Sequence, residues 1–103
     1  MNTPALSEAL KNSDLVVDRA TIDAAIARLG ATIARDYSIG AAPVYITVLH
    51  GALPFAGQLA LEVGAHGTDL QFDYAHATRY RGTAGGELVW KHRPTTALYG
   101  RRV

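Results

Sequence analysis

Ile22, Ile26, Leu29 and Ile33 recur at i, i+4, i+7 and i+11, the spacing that lines side chains along one helical face. This stripe predicts a helix over 19–37, capped at its N-terminus by Asp18 or Thr21 and ended by Tyr37-Ser-Ile-Gly40. Gly30 falls inside it, where glycine costs up to about 1 kcal/mol against alanine; close packing of a neighbour would account for it. A shorter helix is predicted over 4–12, with Leu6 and Leu10 on one face, followed by the brief apolar run Leu15-Val16-Val17. Pro43-Val-Tyr-Ile-Thr-Val-Leu49 is nearly continuous in apolar and β-branched residues, the pattern of a strand covered on both faces in a parallel sheet. His50-Gly51-Ala52 turns the chain into a second helix over 53–63, with Phe55, Leu59 and Val63 on one side and Pro54 in the first turn. Gly64-Ala-His-Gly67 stops that helix.

Leu70, Phe72, Tyr74 and His76 alternate with polar or small residues, which predicts a strand over 70–77 half covered by helices. Thr78 to Gly86 is polar and glycine-rich and reads as a mobile loop. Glu87-Leu-Val-Trp-Lys91 returns as a strand, Pro94 breaks the run, and Val103 looks like the start of another strand. The order of helix, strand, helix, strand and hairpin strand is that of an α/β fold with a crossover between buried strands. Three strands and two helices make a thin layer with open edges, so the expectation is the N-terminal half of a larger domain.

Composition narrows the class. In 103 residues, 49% are hydrophobic and 18% charged, which provides a core and excludes a disordered chain. No run approaches the ~18 apolar residues of a membrane span, and MNTPALSEALKNSD lacks the basic-then-apolar order of a signal peptide. Cysteine is absent, so disulfides, thiolate metal sites and cysteine catalysis are excluded. A soluble cytoplasmic protein is expected.

Charge is uneven although the net is +1. Residues 1–78 hold four basic residues against eight acidic ones. Residues 79–103 hold Arg79, Arg81, Lys91, Arg93, Arg101 and Arg102 against Glu87 alone. An anionic ligand near this quarter and a solvated hairpin face both account for the bias.

Two segments could carry chemistry. Val48-Leu49-His50-Gly51-Ala52 places a tight turn at the carboxyl end of a buried strand, where open α/β sheets bind ligands and where amides at a helix start can hold an anion. It matches neither GxGxxG nor a Walker A loop, and an ordinary strand-to-helix turn has the same pattern. Thr78-Arg-Tyr-Arg-Gly-Thr-Ala-Gly-Gly-Glu87 could form a lid over phosphates, or simply a surface hairpin. Nucleic-acid binding is not expected, because the basic residues are few and no interleaved aromatic pattern accompanies them. His50, His66, His76 and His92 show no metal-ligand spacing. His76 reads as half-buried in its strand, and His66 and His92 read as surface residues. Residue types and spacing name no reaction.

Taken in order, these segments resemble the hypoxanthine-guanine phosphoribosyltransferase family over roughly residues 14–103. The pieces are Asp14-Leu-Val-Val-Asp18, the helix ending Ile33-Ala-Arg-Asp-Tyr37, Val48-Leu-His-Gly-Ala-Leu-Pro-Phe55, Phe72-Asp-Tyr74, Ala77-Thr-Arg-Tyr-Arg-Gly82 with Gly85-Gly-Glu-Leu-Val-Trp90, and Tyr99-Gly-Arg-Arg-Val103. Leu49-His50-Gly51-Ala52 is similar to the family's pyrophosphate loop, with His50 where lysine is usual. Arg79-Tyr80 is similar to the pair on its flexible loop, with Arg79 where serine is usual.

The resemblance implies the N-terminal half of a type I phosphoribosyltransferase fold, a parallel sheet flanked by helices with a flexible β-hairpin loop. Residues 1–103 would be a partial domain, ending just before the phosphoribosyl-diphosphate motif. It further implies a complete enzyme of purine salvage that moves ribose 5-phosphate from phosphoribosyl diphosphate to hypoxanthine or guanine. The products would be IMP or GMP and pyrophosphate, with Mg2+ as cofactor. Leu49, His50 and Gly51 would hold pyrophosphate, and Arg79, Tyr80 and Arg81 would serve the lid. A cis peptide bond between Leu49 and His50 belongs to the same pattern. No catalytic residue and no metal ligand is assigned within the chain, which is expected to be inactive alone. The partners implied are a purine base, phosphoribosyl diphosphate and pyrophosphate, without nucleic acid or membrane, in a homo-oligomeric enzyme. A non-catalytic phosphate-binding or regulatory module and an inert gene fragment are the alternatives.

Overall fold

The computed structural model describes residues 3, 5–79 and 86–103. Helix α1 covers Leu6–Lys11, α2 Arg19–Asp36 and α3 Leu53–Ala65; the strands are β1 Val44–Leu49, β2 Gln71–Arg79 and β3 Leu88–His92. The sheet order is β1-β2-β3, with β1 and β2 parallel and β2 and β3 antiparallel. Helix α3 is the crossover between the parallel strands, as the sequence order requires. The mixed α/β architecture matches the expectation.

Helix α2 begins where Asp18 accepts the Thr21 N–H at 2.8 Å. The Thr21 side chain and that N–H hold the Asp18 carboxyl below its usual range. The stripe that α2 buries follows the hydropathy pattern at Ile26 and, in part, at Ile33, and departs from it elsewhere. Ile26, Gly30 and Ala34 are buried, whereas Ile22 and Leu29 are exposed. The reason is close approach to α3. A Cβ built on Gly30 would lie 2.5 Å from the Glu62 Cβ, so only glycine fits. Leu59 and Val63 of α3 join Ile26, Ala34 and Leu70 in the core, with Ile33, Tyr45 and Ala60 packed against it. Phe55, expected on that side, is exposed.

Two polar links reinforce the seam. Gln58 Nε2 donates to Asp23 Oδ1 at 2.9 Å, and the Thr68 hydroxyl donates to the Ala34 carbonyl at 2.9 Å. Tyr45 reaches from β1 to donate its hydroxyl to the Ala56 carbonyl at 2.8 Å. Its partial burial raises the phenol's pKa.

The expectation of a strand covered on both faces is corrected for β1. Only Val44 is buried, and Val48 is 61% exposed. Among the described elements, α3 is the helix that contacts the sheet, on β1, while α2 packs on α3. Strand β2 is likewise more open than expected, with Phe72 63% exposed. The molecule is a slab of 52 × 37 × 17 Å with a radius of gyration of 17.7 Å. A compact domain of this length would have a radius near 13 Å.

The basic C-terminal quarter also takes a different role. Arg101 donates from Nη2 to the Ala42 carbonyl at 2.9 Å and to Gln71 Oε1 at 2.6 Å. Arg102 donates to the Ala41 carbonyl and lies 5.0 Å over the Tyr37 ring, while its carbonyl accepts the Val44 N–H at 2.9 Å. Arg93 lies 5.0 Å over Trp90. Three of the six basic side chains of residues 79–103 are thus engaged within the fold.

Candidate functional site

Strands β1 and β2 run parallel, so their carboxyl ends lie side by side. At that end Leu49 pairs with His76 in register. The chain then turns through His50, Gly51 and Ala52, and the Leu53 N–H donates to the His50 carbonyl at 3.0 Å. The peptide bond between Leu49 and His50 is cis, as the resemblance implies. His50 and Gly51 are exposed and Leu49 is half-buried. Among the described residues, nothing accepts a hydrogen bond from the N–H groups of His50, Gly51 or Ala52. Three successive amides at a helix start, without protein acceptors, suit an anion.

The turn is flanked by imidazoles. The His50 and His76 ring centroids are 4.3 Å apart, tilted by 56°. Partial burial, then the charges of His50 and Lys91, lower the His76 pKa. One strand further, His76 pairs with His92, and a register shift follows between His76 and Ala77. His92 stacks on Tyr74 with centroids 4.0 Å apart and 13° between planes. It is half-buried, with its Nε2 enclosed and unbonded among the described residues. The expectation of a surface position for His92 is therefore corrected: pairing with β2 carries it onto Tyr74. His66 is exposed, as expected.

Arg79 lies at the end of β2, three residues past His76, and its Nη1 donates to the Gly86 carbonyl at 3.0 Å. It clasps the base of the hairpin. Tyr80 and Arg81, the other lid candidates, lie outside the described residues.

Asp73 is a residue that pattern reading passes over. Its carboxylate accepts N–H groups from Tyr74 at 2.7 Å, Thr95 at 3.0 Å and Thr96 at 2.8 Å. The Thr96 side chain and these amides hold its pKa down at about 2. Asp73 thus pins the segment after β3 to β2. The only signal in the sequence is an acid set between two aromatics in a strand.

No group of three histidine or carboxylate side chains suited to a metal ion occurs among the described residues. Magnesium takes oxygen ligands, and this end of the sheet presents imidazoles and amides. The residues present do not fit it.

The fold has solved counterparts. A hypoxanthine phosphoribosyltransferase from Staphylococcus aureus superposes with a TM-score of 0.70 at 19% identity, covering 91% of this chain and 51% of that one. The hypoxanthine-guanine phosphoribosyltransferase of L. donovani gives 0.70 at 23% identity, over 86% of this chain and 55% of that one. The fold is that of the hypoxanthine phosphoribosyltransferases. A third counterpart, from Trypanosoma cruzi and in complex with the product IMP, gives 0.62 at 20% identity, over 75% of this chain and 44% of that one. The chain spans about half the length of the structures it matches, which fits the N-terminal half of that fold. No protein-family model matches the chain, and no curated protein does. No helix among the described residues is long and apolar enough to cross a membrane.

Proposed function

We propose that this chain is the pyrophosphate-binding half of a purine phosphoribosyltransferase. The observation that carries the reading is the turn at the end of β1, with three amides that lack protein acceptors, in a fold shared with hypoxanthine phosphoribosyltransferases. The T. cruzi counterpart holds IMP, which supports a purine base and phosphoribosyl diphosphate as substrates and pyrophosphate as the other product.

In that reaction the bond from the ribose C1 to pyrophosphate breaks, and pyrophosphate leaves with the electron pair. A bond from C1 to a purine nitrogen forms, and that nitrogen gives up its proton. The amides of His50, Gly51 and Ala52 would stabilise the charge that gathers on the leaving group. Arg79, at the hairpin base, would steady a lid that excludes water from the cationic transition state. Among the described residues no carboxylate is hydrogen-bonded or ion-paired to this turn to take the purine proton. The magnesium of the resemblance would need ligands other than these residues. A phosphate-binding module without catalysis is the second reading, favoured by that same lack of a carboxylate.

The test uses the 103-residue chain with hypoxanthine, phosphoribosyl diphosphate and magnesium. No IMP is expected to form, while pyrophosphate binds and perturbs the amide signals of residues 50–52. Turnover at an ordinary enzymatic rate of ~1–1000 per second would overturn the assignment of a binding half. Failure to bind pyrophosphate would overturn the site itself.

A further inference from the structure

The turn amides supply partial charges, and the nearest full charges are conditional ones. His50 stands in the turn after β1 and His76 on β2, and their ring centroids meet 4.3 Å apart. Among the described residues, no carboxylate is paired with either ring. On β2, Asp73 is already taken by the amides of Tyr74, Thr95 and Thr96. On β3, the facing groups are Lys91 and His92, both cationic or neutral. Helix α3 carries no charged residue before Glu62, about two and a half turns from its start. Neither histidine takes part in an ion pair among the described residues.

Protonating one ring therefore opposes protonating the other, and no ion pair among the described residues relieves the repulsion. A polyanion set against the turn would. We propose that His76, together with His50, is a binding residue for the phosphate groups at the turn, and that the pair takes up protons as the anion binds. The proposal rests on the pyrophosphate reading above and adds a residue and a linkage to it. The lowered pKa of His76, from partial burial and from His50 and Lys91, agrees with a ring that stays neutral until an anion arrives. Linkage then requires the anion to bind more tightly as pH falls through the histidine range.

The decisive experiment titrates the chain with inorganic pyrophosphate between pH ~8 and ~6, following the imidazole nitrogens by NMR. A ring that binds only when protonated strengthens binding by at most about tenfold per pH unit, so up to roughly 100-fold over that range, and two linked rings give more. Sulfate, whose charge is constant there, should show the same direction, which excludes titration of the ligand as the cause. His76→Asn should remove that ring's share of the pH dependence and weaken binding most at pH ~6. His50→Lys should remove the other ring's share of the pH dependence and strengthen binding at pH ~8. Should His76→Asn not fold, the wild-type titration decides alone, because pyrophosphate must raise the protonation midpoints of both rings.

Binding that is flat with pH, or a midpoint shift at His50 only, overturns the pair while leaving the turn as an anion site. Absence of binding at every pH overturns both. Binding that perturbs only signals remote from residues 49–53 and 76 overturns both as well.

Discussion

Replacing Gly30 with alanine sets two effects of known sign against each other. Alanine in mid-helix gains about 1 kcal/mol over glycine. Its methyl, however, would stand 2.5 Å from the Glu62 Cβ, 3.2 Å from the Glu62 carbonyl carbon and 3.4 Å from its Cα. These atoms belong to the α3 backbone or are fixed to it, so no side-chain rotation relieves the contact. Restoring ordinary separation moves α2 and α3 apart by about 1 Å, and a gap of that size forfeits a quarter to a half of each dispersion contact along the seam. Overpacking of this kind costs about 1–3 kcal/mol. With both the Glu62 Cβ and its backbone in the way the clash should win, with a net loss of up to about 2 kcal/mol.

Gly57→Ala is the matched control. It sits in the same helix pair, and its added methyl meets nothing within 4 Å. It should therefore stabilise by about 0.5–1 kcal/mol. Urea unfolding followed by far-UV circular dichroism measures both. For a domain of this size each kcal/mol moves the melting temperature by about 4–8 °C, so the two variants should melt on opposite sides of the wild type. A Gly30→Ala protein as stable as the wild type, or moving in the same direction as Gly57→Ala, would refute the claim that close approach selects this glycine.

Asp73→Asn should loosen the segment around Thr95 and Thr96 and lower stability. Because the folded carboxyl titrates at about 2, below its unfolded value near 3.9, the ionised form favours folding. Its contribution is complete above about pH 4 and fades as pH falls towards 2, so wild type and variant should converge over that window when midpoints are compared. Arg101→Ala removes hydrogen bonds to Ala42 and Gln71 and should lower stability by about 1–2 kcal/mol, yet change pyrophosphate affinity less than twofold, because this arginine serves the fold. The chain should also self-associate. Its accessible surface is 8091 Å², about 2,500 Å² above that of a typical folded protein of this mass, and Phe72, Trp90 and Tyr99 are among the exposed apolar side chains. An interface of standard size needs about 800 Å² from each partner. Light scattering over a concentration series that shows only monomer, together with a sharp thermal melt, would refute this.

The elements were legible because each is written in local spacing. The helix over Arg19–Asp36, the run Val44–Leu49 and the alternation around Phe72 and Tyr74 all form where period and turn residues place them. What failed is what depends on the neighbour. Large residues dominate a hydropathy stripe, so Ile22 and Leu29 looked buried. Close helix contact instead selects small ones, and the buried line became Ile26, Gly30 and Ala34. The apolar run of β1 states that its side chains are greasy, not that a second layer covers them. The C-terminal charges suggested a ligand, because their acceptors, the carbonyls of residues 41 and 42, lie some 60 positions away in the chain and carry no mark in the sequence. The turn at Leu49 to Gly51 could be located from strand, glycine and helix in succession. Its pairing of His50 with His76 could not, because it follows from the parallel register of β1 on β2.

That register also explains why the site sits between two separately braced parts. On one side, α3 fixes the turn amides, and α3 is itself held at three points along its length. The Ala56 carbonyl receives the Tyr45 hydroxyl, Gln58 reaches Asp23, and Glu62 lies against Gly30. On the other side, His76 is carried by β2, which is tied to β3 and the following segment through Asp73 and through the stack of Tyr74 on His92. The β1–β2 ladder joins the parts directly beneath the two imidazoles. A change in either brace therefore reaches the site as a change in the gap between His50 and His76. At that distance the interaction of two charges varies steeply with separation and with the water admitted between them. Substitutions at Gly30 or Asp73, remote from the turn, should then shift the pH dependence of anion binding before they abolish binding, whereas changes at the turn itself should do the reverse.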